Sequence, residues 1–281
     1  STDYPNGLCL DATTPHSNSN VVQLRECTSG THEQGNGVSW NQQWSIDDNS
    51  HLQGANSSGS DIDGYCINVG PQQAGTQLTL LKCAGGTTDG KQTWVPSPDA
   101  GAGSAGAANN QVVNFEQFGR CLDVTNQSVT GTVDGTPGGN NFVIAYTCKQ
   151  DPDPTKVAWN QKFDQRQVTY NGQSFTELVT NNGTDYCLNS PLTAYTSKNS
   201  QYVNVVKCPG TIGSSTTGVL WTANGTNDSK GDALPYADKF TVVDATGDLC
   251  LTLTSGSDDA YNGYSKAIVT ECDGSTAQKW N

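Results

Sequence analysis

The sequence predicts an all-β protein assembled from five covalently stapled repeats, and three observations carry this. No segment of about ten residues shows an apolar stripe of helical period. Instead, β-branched and aromatic residues gather in short runs bounded by Gly, Asn and Ser, which is the signature of strands. Ten cysteines fall into five successive pairs, Cys9 and Cys27, Cys66 and Cys83, Cys121 and Cys148, Cys187 and Cys208, and Cys250 and Cys272. Behind each pair stands one aromatic marker, in order Trp44, Trp94, Phe163, Trp221 and Trp280. Fixed-period self-similarity of this kind marks a repeat architecture.

Each unit reads the same way. "HLQG", "QVVNFEQF", "FTELV" and "KFTVV" precede the first cysteine of repeats two to five. "CLDV" or a variant follows, then a loop of Gly, Ser and Asn, then a second strand such as "VVQL", "LTLL", "FVIAY", "VNVV" or "AIV". One cysteine therefore leads into the first strand of a hairpin and the other ends the second. A disulfide there staples the hairpin across its loop and contributes roughly 3 kcal/mol in the chain-entropy model. Metal ligation is the competing use of cysteine. Pairs 17 to 27 residues apart, no C-x-x-C, and only His16, His32 and His51 do not match zinc spacing.

Composition sets the function classes. The 281 residues carry a net charge of -13 with no basic cluster, so a nucleic-acid phosphate backbone or an anionic membrane surface is an unfavourable partner. Only 33% of the chain is hydrophobic, and no run approaches the roughly 20 apolar residues of a membrane span. No charged-then-apolar leader opens the sequence, which is expected to begin after a removed signal peptide. Disulfides persist in oxidising compartments, so the expected location is secreted and extracellular. Sequons at Asn56, Asn126, Asn182, Asn224 and Asn227 are candidate glycosylation sites in keeping with that route.

The order "CLD…QL.EC…NQQW" resembles the ricin B-type, or QxW, lectin repeat. It recurs as "QQW" at Gln42–Trp44, "QTW" at Gln92–Trp94, "QKF" at Gln161–Phe163 and "QKW" at Gln278–Trp280, while the fourth repeat departs with "VLW" at Val219–Trp221. The resemblance implies a β-trefoil, three four-stranded repeats about a pseudo-threefold axis. It makes the marker Trp44, Trp94, Trp221 and Trp280 buried scaffold and the motif Gln a pin for its loop. Five repeats do not divide by three. Taken in chain order, residues 1–165 are expected to form one trefoil from repeats one to three. Residues 166–281 then hold two further repeats in an incomplete or atypical trefoil. An unusual five-repeat closure and completion by a neighbouring chain remain open. The repeats are longer than the usual trefoil unit, so long surface loops are expected.

Neutral sugars offer hydroxyls that donate and accept, together with apolar C–H faces. A site for them needs a carboxylate, amides and an aromatic plate. In the resembled family these are an Asp two residues after the first cysteine, an aromatic two residues before the second, and Asn-Gln ahead of the marker. The third repeat has the full set in Asp123, Tyr146, Asn160 and Gln161. The first repeat has Asp11, Asn41 and Gln42, but Arg25 stands at the aromatic position, with Gln23 as an added contact. Trp40 and Trp159, four residues before their markers, are either exposed plates or half-buried packing. In the other repeats Asn68, Asn189 and Thr252 replace the Asp, and Leu81, Val206 and Thr270 replace the aromatic, so no site of this type is expected there. An Asp after a hairpin strand also caps turns, and Tyr146 also suits an ordinary strand surface.

The resemblance thus implies glycans, galactose-type sugars among them, as partners, with no cofactor and no metal. No GxSxG, HExxH or P-loop is present. The acidic clusters "DPDP" at Asp151–Pro154 and "SDDA" at Ser257–Ala260 read as exposed loops rather than as the paired carboxylates of a glycosidase. Catalysis is not expected. The alternative reading is structural. An odd repeat count suits head-to-tail assembly, in which self-association completes the second trefoil and grows oligomers or filaments.

Overall fold

The computed structural model describes residues 8–13, 16–28, 39–46, 51–58, 62–84, 90–94, 109–117, 119–125, 142–151, 153–198, 200–224, 241–254, 260–261 and 263–280. Strands and single 3-10 turns make up its regular structure, with no α-helix among the described residues. Among the described residues no helix is long and apolar enough to cross a membrane. All five cysteine pairs are disulfides, joined in sequence order as the hairpin reading requires.

The chain divides into two compact units. Unit 1 comprises Ser1–Pro96 with Lys149–Val157, and unit 2 comprises Ser97–Cys148 with Ala158–Asn281. This differs from the division at residue 165 that chain order suggests. All of the third repeat except Lys149–Val157 packs with the fourth and fifth.

Unit 2 shows why. Its strands are β7 (Arg120–Val124), β8 (Val143–Thr147), β9 (Asp164–Tyr170), β10 (Gln173–Asn181), β11 (Asp185–Asn189), β12 (Asn204–Lys207), β13 (Trp221–Asn224), β14 (Thr241–Asp244), β15 (Leu249–Leu253) and β16 (Ala267–Glu271), in sequence numbering that continues from unit 1. The strand leaving each repeat pairs with the strand entering the next, β9 with β10 and β13 with β14. Trp280 of the fifth repeat then bridges Asn114 of the third, and Phe115 N–H donates to Lys279 O at 2.8 Å. Among the described residues these pairings close the strands into a ring.

The stapled hairpins β7–β8, β11–β12 and β15–β16 cap that ring. Val143, Val203 and Ala267 each lie five residues before their second cysteine. Val143 N–H donates to Val203 O and Val203 N–H to Ala267 O, both at 2.9 Å. Three chemically equivalent positions linked in turn are the mark of a pseudo-threefold axis. Around it Leu122, Leu188 and Leu251 meet Phe163, Trp221 and Trp280 in one buried cluster. Full burial of each such side chain contributes about 1.5–3 kcal/mol. Unit 2 is a complete β-trefoil made by repeats three, four and five.

Unit 1 carries β1 (Leu8–Ala12), β2 (Val22–Glu26), β3 (Trp44–Ile46), β4 (Leu52–Ala55), β5 (Ile62–Asn68) and β6 (Thr79–Lys82). Val22 N–H donates to Leu78 O at 2.9 Å, the same five-before-cysteine contact that links hairpins in unit 2. Lys149–Val157 joins this unit through Ile46, whose N–H donates to Gln150 O. Its apolar cluster is smaller, with Ala12, Val22, Ile67 and Leu80 buried. Trp44 and Trp94 are only half-buried here, whereas Trp221 and Trp280 are fully enclosed, so the expectation of four equally buried markers holds for unit 2 alone. The cause is lobe number. Two hairpin lobes among the described residues enclose an aromatic side chain less than three do.

Candidate functional site

Each motif glutamine performs the same local task. Gln42, Gln92, Gln161 and Gln278 donate through Nε2 to the backbone oxygen just before the second cysteine, those of Glu26, Lys82, Thr147 and Glu271, at 3.1, 3.2, 2.9 and 2.8 Å. In three of them Oε1 also accepts from the chain beyond that cysteine, at Thr28, Ala84 and Asp273. The marker Trp completes the clamp. Nε1 of Trp44, Trp94, Trp221 and Trp280 donates to the oxygen of the residue after the first cysteine, those of Leu10, Ile67, Leu188 and Leu251. Phe163 has no such donor. Gln-x-Trp is therefore a fastener for the repeat, satisfying backbone groups the hairpin would otherwise bury unpaired.

A second set of bonds separates the first and third repeats from the rest. In the third, Asn160 Nδ2 donates to Asp123 Oδ1 at 3.0 Å and Gln161 Nε2 to Asp123 Oδ2 at 2.9 Å. In the first, Asn41 Nδ2 and Gln42 Nε2 both donate to Asp11 Oδ2, at 2.7 and 2.9 Å. The 3-10 turns Trp40–Gln42 and Trp159–Gln161 set both amides on one side of the chain, facing the hairpin. The two carboxylates are nearly buried. Charge-assisted bonds of this kind hold an ionised acceptor in one orientation.

Register places the remaining candidates. In β7–β8, Cys121 pairs with Tyr146 and Asp123 with Ile144, so Tyr146 lies diagonal to Asp123 on the same face. The Tyr146 ring is not an open plate, however. It meets the Tyr264 ring of the fifth repeat at 4.5 Å, and the Arg120 guanidinium lies 5.1 Å from the centre of Tyr264. Arg120 is buried and donates to Thr147 Oγ1 at 2.8 Å; burial lowers its pKa, against the opposing influence of Tyr264 and Tyr146. In β1–β2, Asp11 pairs with Gln23 and Cys9 with Arg25, so both polar side chains share the Asp11 face. Arg25 Nε lies 3.7 Å from Asp11 Oδ1. Sequence reasoning passed over Tyr264 and Arg120. The only trace of Tyr264 is an aromatic pair in a polar loop, "YNGY".

The indole rings ahead of the motifs are half-buried rather than exposed. Trp159 packs on the unit 2 core and Trp40 lies 4.6 Å from the ring of His16. The degenerate repeats lack the amide-to-carboxylate set. In the fourth, Gly218 occupies the amide position, and a Cβ there would come within 2.4 Å of Asn189 Oδ1, so the turn has collapsed onto the site. In the second, Asn68 Oδ1 is buried without a partner. In the fifth, Thr252 and Thr270 hydroxyls bond each other at 2.9 Å.

Asp151 and Asp153 accept from backbone N–H groups two residues on, the geometry of Asx turns, and Asp258 and Asp259 lie outside the described residues. Among the described residues no group of three His, Cys, Asp or Glu side chains is placed to hold a metal ion. Of the sequons, Asn182 is exposed, and Asn56 accepts from the N–H and hydroxyl of Ser58. Asn224 ends β13, while Asn126 and Asn227 lie outside the described residues.

Comparison with known proteins finds a family model and solved structures to which the chain is similar. A search of curated proteins gives no match. Among solved structures, the chain is similar to ThreeFoil, a designed 3-fold symmetric protein, at TM-score 0.37 and 17% identity over 61% of this chain and 94% of that one. It is also similar to the Haemophilus ducreyi cytolethal distending toxin, at TM-score 0.38 and 14% identity over 67% of this chain and 86% of that one. Residues 2–134 match the model of the ricin-type beta-trefoil lectin domain, a stretch that includes the first-repeat site and strand β7 with Asp123. Over that stretch, a little under half of its length, the chain is similar to the ricin-type beta-trefoil lectin family.

Proposed function

We propose that this protein is a secreted, non-catalytic lectin that holds sugar at the third repeat and, in a second site, at the first. One observation carries the reading. Asp123 and Asp11 are each clamped by an Asn and a Gln from their own repeat, and the three degenerate repeats have no such clamp. A carboxylate held this way accepts from sugar hydroxyls without reorganising, and Tyr146 with Tyr264 supplies apolar surface for a C–H face. Galactose-type sugars are the first ligands to test. Five disulfides favour an extracellular setting. Shallow pockets bind weakly one at a time, so paired sites favour branched or clustered glycans.

Asp123→Ala and Tyr146→Ala are each expected to weaken glycan binding at least tenfold, about 1.4 kcal/mol. Asp123→Ala also leaves buried amide donors without an acceptor and costs about 1–3 kcal/mol of stability. Titration calorimetry on array-selected glycans, alongside thermal melts, reads both. Unchanged affinity in both folded variants would overturn the third-repeat assignment.

A second reading, self-association, is favoured by one feature of unit 1. Three residues before the second cysteine stand Ala145, Val205 and Val269 in unit 2 and Leu80 in unit 1, all fully buried. Leu24, at the equivalent position of the first repeat, is 63% exposed. A core-side leucine left in water favours a covering partner. Light scattering is expected to show mass rising with concentration in the parent protein and a lower mass in Leu24→Glu. A concentration-independent monomer removes this reading.

A further inference from the structure

The first-repeat site differs from the third in a way that bears on its ligand. Where the third repeat presents Tyr146, the first presents Arg25, whose side chain is 60% exposed. We infer that the first-repeat site is built for an anionic sugar, one bearing a carboxylate or sulfate, with Arg25 as its receptor. This rests on the lectin reading and deepens it.

Three features of the geometry lead there. Arg25 is held in place. With its amide oxygen turned to the guanidinium, Gln23 accepts from Arg25 Nε at 2.7 Å and from Nη2 at 2.8 Å. Two bonds to one acceptor fix a long side chain whose free rotation would otherwise oppose binding. The guanidinium also keeps spare capacity. Of its five N–H groups, those on Nη1 and the second on Nη2 have no partner among the described residues, and they form the forked edge that matches two oxygens sharing a charge.

Thirdly, the neighbouring carboxylate does not use up the cation. Both amide donors converge on Asp11 Oδ2, and Arg25 approaches Oδ1 only through Nε, at 3.7 Å. In the third repeat, by contrast, each Asp123 oxygen receives one amide. Glu26 pairs with Leu8 and so points to the opposite face of the hairpin. A neutral sugar at this site lacks an aromatic plate, while an anionic one gains a charge-assisted pair in its place. The overall charge of -13 disfavours anions at long range, so recognition must come from this local contact.

The test uses the intact, oxidised protein and matched glycans: a neutral galactoside, the same glycan capped with a sialic or uronic acid, and its sulfated counterpart. Affinities are measured for the parent, Arg25→Ala, Arg25→Lys and Asp123→Ala. The parent is expected to prefer at least one acidic glycan to its neutral match by about tenfold or more. Arg25→Ala is expected to abolish that preference, Arg25→Lys to retain part of it, and Asp123→Ala to leave it in place while losing neutral binding. The carboxylate and sulfate arms identify which anion is taken. Neutral binding with no acidic preference, or a preference unmoved in Arg25→Ala, overturns the inference while the lectin reading stands. No binding of any glycan by folded protein overturns both.

Discussion

Trp280→Ala is expected to lower the melting temperature of the trefoil of repeats three to five by roughly 10 °C, the largest effect of any single core substitution considered. The side chain is 1% exposed, and its Nε1 donates to Leu251 O at 3.0 Å. Truncating a buried Trp to Ala costs about 3–5 kcal/mol, and each kcal/mol moves the midpoint by about 2–4 °C in a unit of this size. Trp280 also stands on the segment that closes the ring against Asn114, so the cavity opens beside the seam. Trp44→Ala makes the contrast. It removes the same indole and the same kind of hydrogen bond, to Leu10 O, from a half-buried position and is expected to cost less than half as much. Calorimetric melts of the two variants check this. Equal losses would mean that unit 1 encloses its marker as fully as unit 2 does.

Reduction is expected to unfold the protein near room temperature or leave it marginal. The five disulfides close loops with sequence separations from 17 to 27. Loops of that size each contribute about 3 kcal/mol in the chain-entropy model. Together they rival the whole stability of a typical domain, about 5–15 kcal/mol. The thin apolar content makes the dependence sharper, since only 33% of the residues are hydrophobic. Circular dichroism with and without reductant measures it. A reduced protein that keeps a cooperative transition within a few degrees of the oxidised one would show that the apolar cores suffice.

Local chemistry was legible in the sequence. Cysteine pairing could be read because each bridge closes one hairpin, and both partners lie within one repeat. The role of Gln-x-Trp was legible for the same reason, as its hydrogen bonds stay inside the unit that carries it. The residues themselves could be named, Asp123 with Asn160–Gln161 and Asp11 with Asn41–Gln42 behind matched hairpins, but as sugar contacts; that the amides bond to the carboxylates emerges only from the structure. The surroundings of those residues were less visible. Tyr146 is met by Tyr264, a residue of another repeat brought near only when the ring closes. Gly218 reads as an ordinary loop glycine until Asn189 is found beneath it.

The sequence by itself determined the all-β class, the five stapled hairpins, the fastening role of the motif and the two repeats that combine an Asp with an Asn-Gln pair. Tertiary structure alone decided which three repeats form the complete trefoil and how much of each marker is buried. The reason is physical. Pseudo-equivalent repeats carry equivalent local signals, so one to three and three to five serve equally well on paper. Partner choice is made by surfaces that meet only in three dimensions, Asn114 against Trp280 and Val143, Val203 and Ala267 about a common axis.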